Sequence, residues 1–200
     1  YDGTLCSNLH GHLKIAPDGS AYLPIKGCGS AQGGTYTHNA GLTWTQFTVP
    51  DTTPQANGSD PSIAIDDANK LYYCYVNGDG HPRVRVGSKL ADGSLSWTTD
   101  TDLGSDHGII NATFPEAIGG DSGRASCGFL GTNAVGTNYE SKDFPGVWYL
   151  YIATTLDGGQ TWTTVNATPN DPVQGVGGIW QQGGSGDTNN NRNLLDFNEV

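Results

Sequence analysis

One eight-residue pattern constrains this chain more than any other feature. Thr37-His38-Asn39-Ala40-Gly41-Leu42-Thr43-Trp44 and Thr155-Leu156-Asp157-Gly158-Gly159-Gln160-Thr161-Trp162 both read [ST]-x-[DN]-x-G-x-T-W. Chance would give roughly 0.002 such matches in a chain of this composition, so two copies mark a repeated structural unit. A looser copy runs from Ser88 through Ala91-Asp92-Gly93-Ser94-Leu95-Ser96-Trp97. The pattern has a mechanical reading. Asn39 or Asp157 accepts backbone N–H groups in a tight turn. Gly41 or Gly159 supplies positive φ. Thr43 or Thr161 suits a returning strand, and Trp44 or Trp162 packs between layers. This is a locked hairpin turn, explained without catalysis.

A second unit precedes each box: a strand, a short turn and another strand. The copies are 12–16, 17–19 and 20–25; then 62–66, 67–69 and 70–76; then 116–120, 121–123 and 124–130. A fourth starts at Asp196 and is cut off at Val200. The turns Pro17-Asp18-Gly19, Asp67-Ala68-Asn69 and Asp121-Ser122-Gly123 suit short hairpins. The repeating unit is thus four strands long. The predicted fold is all-β: a β-propeller of four-stranded antiparallel blades with about three and a half blades present, an incomplete ring. The blades fall at about 10–50, 60–100, 114–168 and, as a start only, 194–200, within one partial domain spanning 1–200. Three units and a started strand do not close a ring. The expectation is a segment of a longer protein, or two copies joining.

Composition excludes several classes. Net charge is −11 with only 9 Lys+Arg, and no basic stripe suits a nucleic acid. No apolar run approaches the roughly 18 residues of a membrane span. The four cysteines, Cys6, Cys28, Cys74 and Cys127, have no C-x-x-C spacing. An even count in an acidic chain points to two disulfides and an extracellular, secreted or cell-surface setting. Buried free thiols are the alternative. The chain begins at Tyr1 without a signal peptide, so processing or a partial record stands open. The sequons at Asn57, Asn111 and Asn166 occur at chance frequency.

The boxes resemble the Asp boxes (BNR repeats) of the sialidase-like propeller superfamily. Five further pieces resemble secreted bacterial BNR-repeat proteins labelled exo-α-sialidase: Cys6–His12, Ala16–Gly19, Phe114-Pro115-Glu116, Thr154–Trp162 and Arg192–Phe197. In this reading the structural box residues are Asn39, Gly41, Thr43 and Trp44, and Asp157, Gly159, Thr161 and Trp162. Aligning the short turns sets Cys74 and Cys127 one position out of step on equivalent strands, so they point toward each other from adjacent blades. Cys6 and Cys28 flank the open end of the first hairpin. Cys6–Cys28 and Cys74–Cys127 are therefore the expected pairs among three connectivities.

Strand direction places the short turns and boxes on one face. The long connections lie on the other: 27–34, 49–60, 77–82, 99–114, 131–146 and 168–195. Long loops on a rigid scaffold are where binding and catalysis concentrate. Residues at that end of the innermost strands include His10, His12, Asp60, Ser62, Glu116, Asp196 and Asn198. Glu116, His12 and Asp60 are the candidate catalytic groups, as carboxylates and a base for acid–base work on a sugar. His10, Asp196, Arg192 and Trp180 are candidate substrate contacts. A wet, polar channel is the plainer account of the same ring. Trp148 and Tyr139 also lie near these loops, where an aromatic stacks on sugar or simply packs. Asp106-His107 reads as a solvated loop.

The resemblance implies three arginines on a sialic acid carboxylate, an Asp acid and a Tyr–Glu pair. Here the arginines are Arg83, Arg85, Arg124 and Arg192, and no triad maps onto them. Asp187, Asn189 and Asn191 have the D-x-N-x-N start of a calcium loop without its later Gly and Glu. Calcium is thus the one candidate cofactor, and none is required. No G-x-S-x-G, phosphate loop or H-E-x-x-H occurs. The expectation is a glycan-directed propeller, acting on a glycan or glycoprotein, with a sialidase-type glycoside hydrolase as its catalytic form. The alternative is a non-catalytic propeller for adhesion, binding or assembly. Either needs the remainder of its own chain, or another subunit, to close.

Overall fold

The computed structural model describes residues 6–55, 59–136, 139, 141 and 143–179, and these form three antiparallel sheets. Strands β1 (Cys6–His10), β2 (Lys14–Ile15), β3 (Ala21–Cys28), β4 (Ala31–Thr37) and β5 (Thr45–Thr48) make sheet 1. Strands β6 (Ser62–Ile65), β7 (Leu71–Val76), β8 (Pro82–Lys89) and β9 (Leu95–Asp102) make sheet 2. Strands β10 (Asn111–Gly119), β11 (Ala125–Thr132), β12 (Tyr149–Thr155) and β13 (Thr163–Asn166) make sheet 3. Sheets 2 and 3 are meanders in chain order. In sheet 1, β1 and β2 both pair with β3 and share the first-strand position.

The sheets stack in sequence order. One apolar cluster joins Tyr22, Tyr36 and Phe47 of sheet 1 to Leu71, Tyr73 and Tyr75 of sheet 2. Another joins Tyr72, Val84 and Val86 of sheet 2 to Ala117, Phe129 and Tyr151 of sheet 3. Sheet 2 is therefore covered on both faces, and all six residues of β7 are buried. In sheet 3, β12 alternates between buried and half-buried positions, as a strand covered on one face does. The innermost strands approach closely. A Cβ on Gly119 would lie 2.1 Å from the Ile65 carbonyl, and one on Gly11 would lie 2.0 Å from the Pro61 carbonyl.

Three short turns have positive φ at the same place: Gly19 at 82°, Asn69 at 62° and Gly123 at 83°. The two boxed turns share one hydrogen-bond set. Gly41 N donates to Thr37 Oγ1 at 3.0 Å and Thr43 N to Asn39 Oδ1 at 3.0 Å. Gly159 N donates to Thr155 Oγ1 at 2.9 Å and Thr161 N to Asp157 Oδ1 at 3.0 Å. Trp162 packs edge-on against Tyr72 of sheet 2. Trp97 stacks on Phe47 of sheet 1, 5.8 Å between centroids. Disulfides join Cys6 to Cys28 within sheet 1 and Cys74 to Cys127 between sheets 2 and 3.

Several expected boundaries move. The first strand begins at Cys6 rather than residue 12 and breaks at 11–13, where Gly11 N turns to donate to Pro24 O. The third unit opens at Asn111 rather than Glu116. Two connections expected to be long are tight: β3 and β4 join through Gly29-Ser30, and β7 and β8 through 77–81. The 99–114 connection shrinks because β9 runs to Asp102, leaving a short 3-10 turn at Ser105–His107. Among the described residues no helix is long and apolar enough to cross a membrane.

Candidate functional site

A cleft opens among the first strands of the three sheets, at the break between β1 and β2, the approach to β6 and the irregular middle of β10. Gly11 and His12 line it from sheet 1, Asp60 and Pro61 from the approach to β6, and Phe114, Pro115 and Glu116 from β10. The three candidate catalytic residues thus share one cleft although 104 positions separate His12 from Glu116 in the sequence numbering. Its space is about 30 Å³, which suits one or two waters rather than a whole sugar ring.

The backbone of β10 is shaped for this position. Its pairing with β11 slips between Thr113 and Glu116, and Phe114 has φ of 51°. A bulge of this kind re-aims the next side chain, and positive φ in a bulky residue is held only by its surroundings. Here the Phe114 amide donates to Ser59 Oγ at 2.8 Å. Glu116 then projects toward sheets 1 and 2. Its Oε1 accepts from Lys14 Nζ at 3.2 Å and from Ser62 Oγ at 3.1 Å. Ser62 Oγ in turn accepts from Ala117 N at 3.1 Å. One carboxylate therefore ties all three sheets together. Its side chain is 12 % exposed, so it keeps an edge toward solvent.

Lys14 and Ser59 are the site residues that sequence reasoning missed. Lys14 sits on a two-residue strand, and nothing local marks its contact with a residue of sheet 3. Ser59 carried a signal only as the last residue of the Asn57 sequon. His10, on β1, is exposed, with Nδ1 3.2 Å from the Gly11 carbonyl, and it does not line the cleft. Trp180, Asp187, Asn189, Asn191, Arg192, Asp196 and Asn198 lie outside the described residues. Among the described residues no group of three His, Cys, Asp or Glu side chains is placed to hold a metal ion.

The described arginines stand elsewhere. Arg83 pairs with Asp79 at 3.1 Å and Asp100 at 3.2 Å. Arg85 pairs with Asp51 and Asp100, each at 3.5 Å. Burial pushes the Asp79 carboxyl up, but the His81 amide, Asn77 and Arg83 outweigh it and hold the group below its usual range. These guanidinium groups are already matched by carboxylates, so they are not poised for a ligand's carboxylate. Arg124 is exposed beside the turn at Gly123, pairing with Asp121 at 3.9 Å.

Two tyrosine hydroxyls donate to carboxylates, Tyr72 to Asp66 at 3.0 Å and Tyr75 to Asp100 at 3.1 Å. Burial first, then the neighbouring carboxylate, raises both phenols above their usual range. That is the opposite of an activated phenolate. Of the two readings of Trp148 and Tyr139, sugar stacking or packing, burial selects packing. Trp148 is fully buried, donates from Nε1 to Gly177 O at 2.9 Å, and packs with Tyr139 and Phe144. His107 is also engaged, with Nε2 2.9 Å from Thr164 O and its ring against Tyr151.

No protein-family model matches the chain, and no curated protein matches it. Among solved structures, a leech intramolecular trans-sialidase complexed with 2,7-anhydro-Neu5Ac is similar at 14 % identity and a TM-score of 0.49. That match covers 86 % of this chain and 25 % of the leech chain. The intramolecular trans-sialidase from Ruminococcus gnavus, in complex with oseltamivir carboxylate, is similar at 12 % identity and a TM-score of 0.38. It covers 82 % of this chain and 44 % of that one. The chain thus spans about a quarter of the first structure and under half of the second.

Proposed function

We propose that this chain is part of a secreted or surface-exposed, glycan-directed β-propeller of the Asp-box kind, with sheets 1 to 3 as successive blades. The observation that carries this reading is the meeting of His12, Asp60 and Glu116 in one cleft among the first strands of the three sheets. Carboxylates and an imidazole converging at a blade axis suit hydrogen bonding to sugar hydroxyls. In a sialidase-type glycoside hydrolase the same groups would move protons during glycosidic cleavage. The two disulfides support an oxidising compartment. Further sheets, from the rest of its own chain or another subunit, would complete the ring.

A non-catalytic propeller for adhesion or assembly is the second reading. It is favoured by the Lys14–Glu116 pair and by the carboxylate partners of Arg83 and Arg85. A panel of fluorogenic sialosides separates the two. Turnover that Glu116→Gln abolishes, with glycan binding retained, supports hydrolysis. Turnover untouched by that change removes Glu116 from the site. Glycan binding without turnover supports the second reading, and neither activity refutes a glycan-directed protein.

A further inference from the structure

The cleft among the first strands is rich in acceptors and poor in donors. Two of its lining residues, Pro61 and Pro115, have no backbone N–H. Two lining amides are spent inside the fold: Gly11 N donates to Pro24 O at 3.0 Å, and Phe114 N donates to Ser59 Oγ at 2.8 Å. Lys14 Nζ is spent on Glu116 Oε1 at 3.2 Å, and Lys14 does not itself line the cleft. The described arginines are held by carboxylates and do not line it either. What the lining does offer is carboxylate, from Asp60 and Glu116. Glu116 is fixed through one oxygen only. Lys14 and Ser62 both donate to Oε1, and Ser62 Oγ is itself engaged by Ala117 N. Glu116 Oε2 accepts from no donor among the described residues.

An acidic group is held by converging donors, and in this cleft it would meet two carboxylates instead. A ligand that enters must bring donors of its own. Lys14 already balances the Glu116 charge, so those donors need not be cationic. The space of about 30 Å³ admits one or two oxygen atoms and no ring. We propose that the cleft takes one or two hydroxyls of a neutral sugar, one of them donating to Glu116 Oε2, while the ring stays outside. A hydroxyl both donates and accepts, so the Ser59 hydroxyl and the His12 ring in the same lining suit its oxygen. The proposal rests on the glycan-directed reading above and departs from its sialidase form, because the carboxylate of a sialic acid finds no set of donors here.

Amide chemical-shift mapping of the oxidised 200-residue chain at neutral pH tests this. The probes are a panel of neutral methyl hexosides, the methyl glycoside of N-acetylneuraminic acid, and methyl glucosaminide as the ammonium-bearing sugar. A neutral hexoside should shift the Gly11, Ser59 and Glu116 amides and bind about tenfold more tightly than the acidic or the amino sugar, the difference one charge-assisted contact makes. Glu116→Gln turns the free acceptor into a donor, since Lys14 and Ser62 both require the oxygen of the new amide. It should weaken the neutral sugar about tenfold, with far-UV circular dichroism and both disulfides unchanged. Should that variant fail to fold, the wild-type order of affinities decides alone. An acidic sugar that shifts the same amides as strongly, an amino sugar that binds more tightly, or a neutral sugar that shifts only amides elsewhere overturns the proposal and leaves the glycan-directed reading standing. Unchanged neutral-sugar affinity in a folded Glu116→Gln variant does the same. No shift with any of the glycosides refutes the glycan-directed reading itself, and the proposal with it.

Discussion

Asp66 and Gly123 join neighbouring sheets through a single hydrogen bond, from the Gly123 amide to Asp66 Oδ2 at 2.8 Å. The same buried carboxylate closes its own turn, accepting from Ala68 N and Lys70 N at 2.9 Å each, and it accepts from Tyr72 OH. One side chain thus sets a turn and the spacing between two sheets. Asp66→Ala strands four donors and should cost about 3 kcal/mol or more. Asp66→Asn keeps one acceptor oxygen and should cost less. Urea unfolding of both variants checks this ordering, and an Ala variant as stable as wild type would refute it.

The contact between innermost strands gives a second prediction. A methyl group at Gly119 would meet the Ile65 backbone, which no side-chain rotation relieves. Gly119→Ala should therefore lower stability by about 1–3 kcal/mol, the range for overpacking a close contact. The adjacent Gly120→Ala is the control, since its nearest neighbour is Arg124 Cβ at 3.9 Å. Thermal melts showing equal losses at the two positions would remove the close approach as the cause.

Much of this frame is legible locally. The run Leu71-Tyr-Tyr-Cys-Tyr-Val76 reads as a strand, and positive φ at Gly19, Asn69 and Gly123 follows from residue types suited to it. The offset of Cys74 from Cys127 could be read because strand residues alternate faces. What stayed hidden depends on packing across sheets. Phe114 gives no local sign that it will take positive φ, and its bulge needs Ser59, 55 residues away. Lys14 meets Glu116 across 102 residues. Asn77–Pro82 reads as a loop by composition, yet the Gly80 amide closes it into a turn on the Asn77 carbonyl at 2.8 Å.

The boxed turns supply an internal comparison in acid. The Thr161 side chain, its amide and further donors hold the Asp157 carboxyl down to about 2, whereas Asn39 does the same work without titrating. A carboxyl depressed in the folded state adds stability above its unfolded value, near 4, and loses it as pH falls toward 2. Stability should fall through that window in the wild type and fall less steeply in Asp157→Asn. Asp18 is also lowered to about 2: burial opposes the shift, and Lys89 and Ser20 outweigh it, so part of the slope remains in the variant. Urea midpoints between pH 4 and 2 measure the difference, and parallel slopes would exclude Asp157 as a contributor.

The two disulfides differ in what they join. Cys6–Cys28 crosses adjacent strands of one sheet over 22 residues, while Cys74–Cys127 crosses from sheet 2 to sheet 3 over 53. By the loop-entropy relation, losing the first should cost about 3 kcal/mol and losing the second about 4. The second loss also removes the covalent tie between two packed faces, since Cys74 and Cys127 are both buried in their shared core. Cys74→Ala with Cys127→Ala should therefore lower the urea midpoint more than Cys6→Ala with Cys28→Ala. It should also raise hydrogen exchange in β7 and β11 together, because those strands face each other across the junction. A smaller loss than for the first pair, or exchange raised in one strand alone, would mean that packing holds sheets 2 and 3 without the bond.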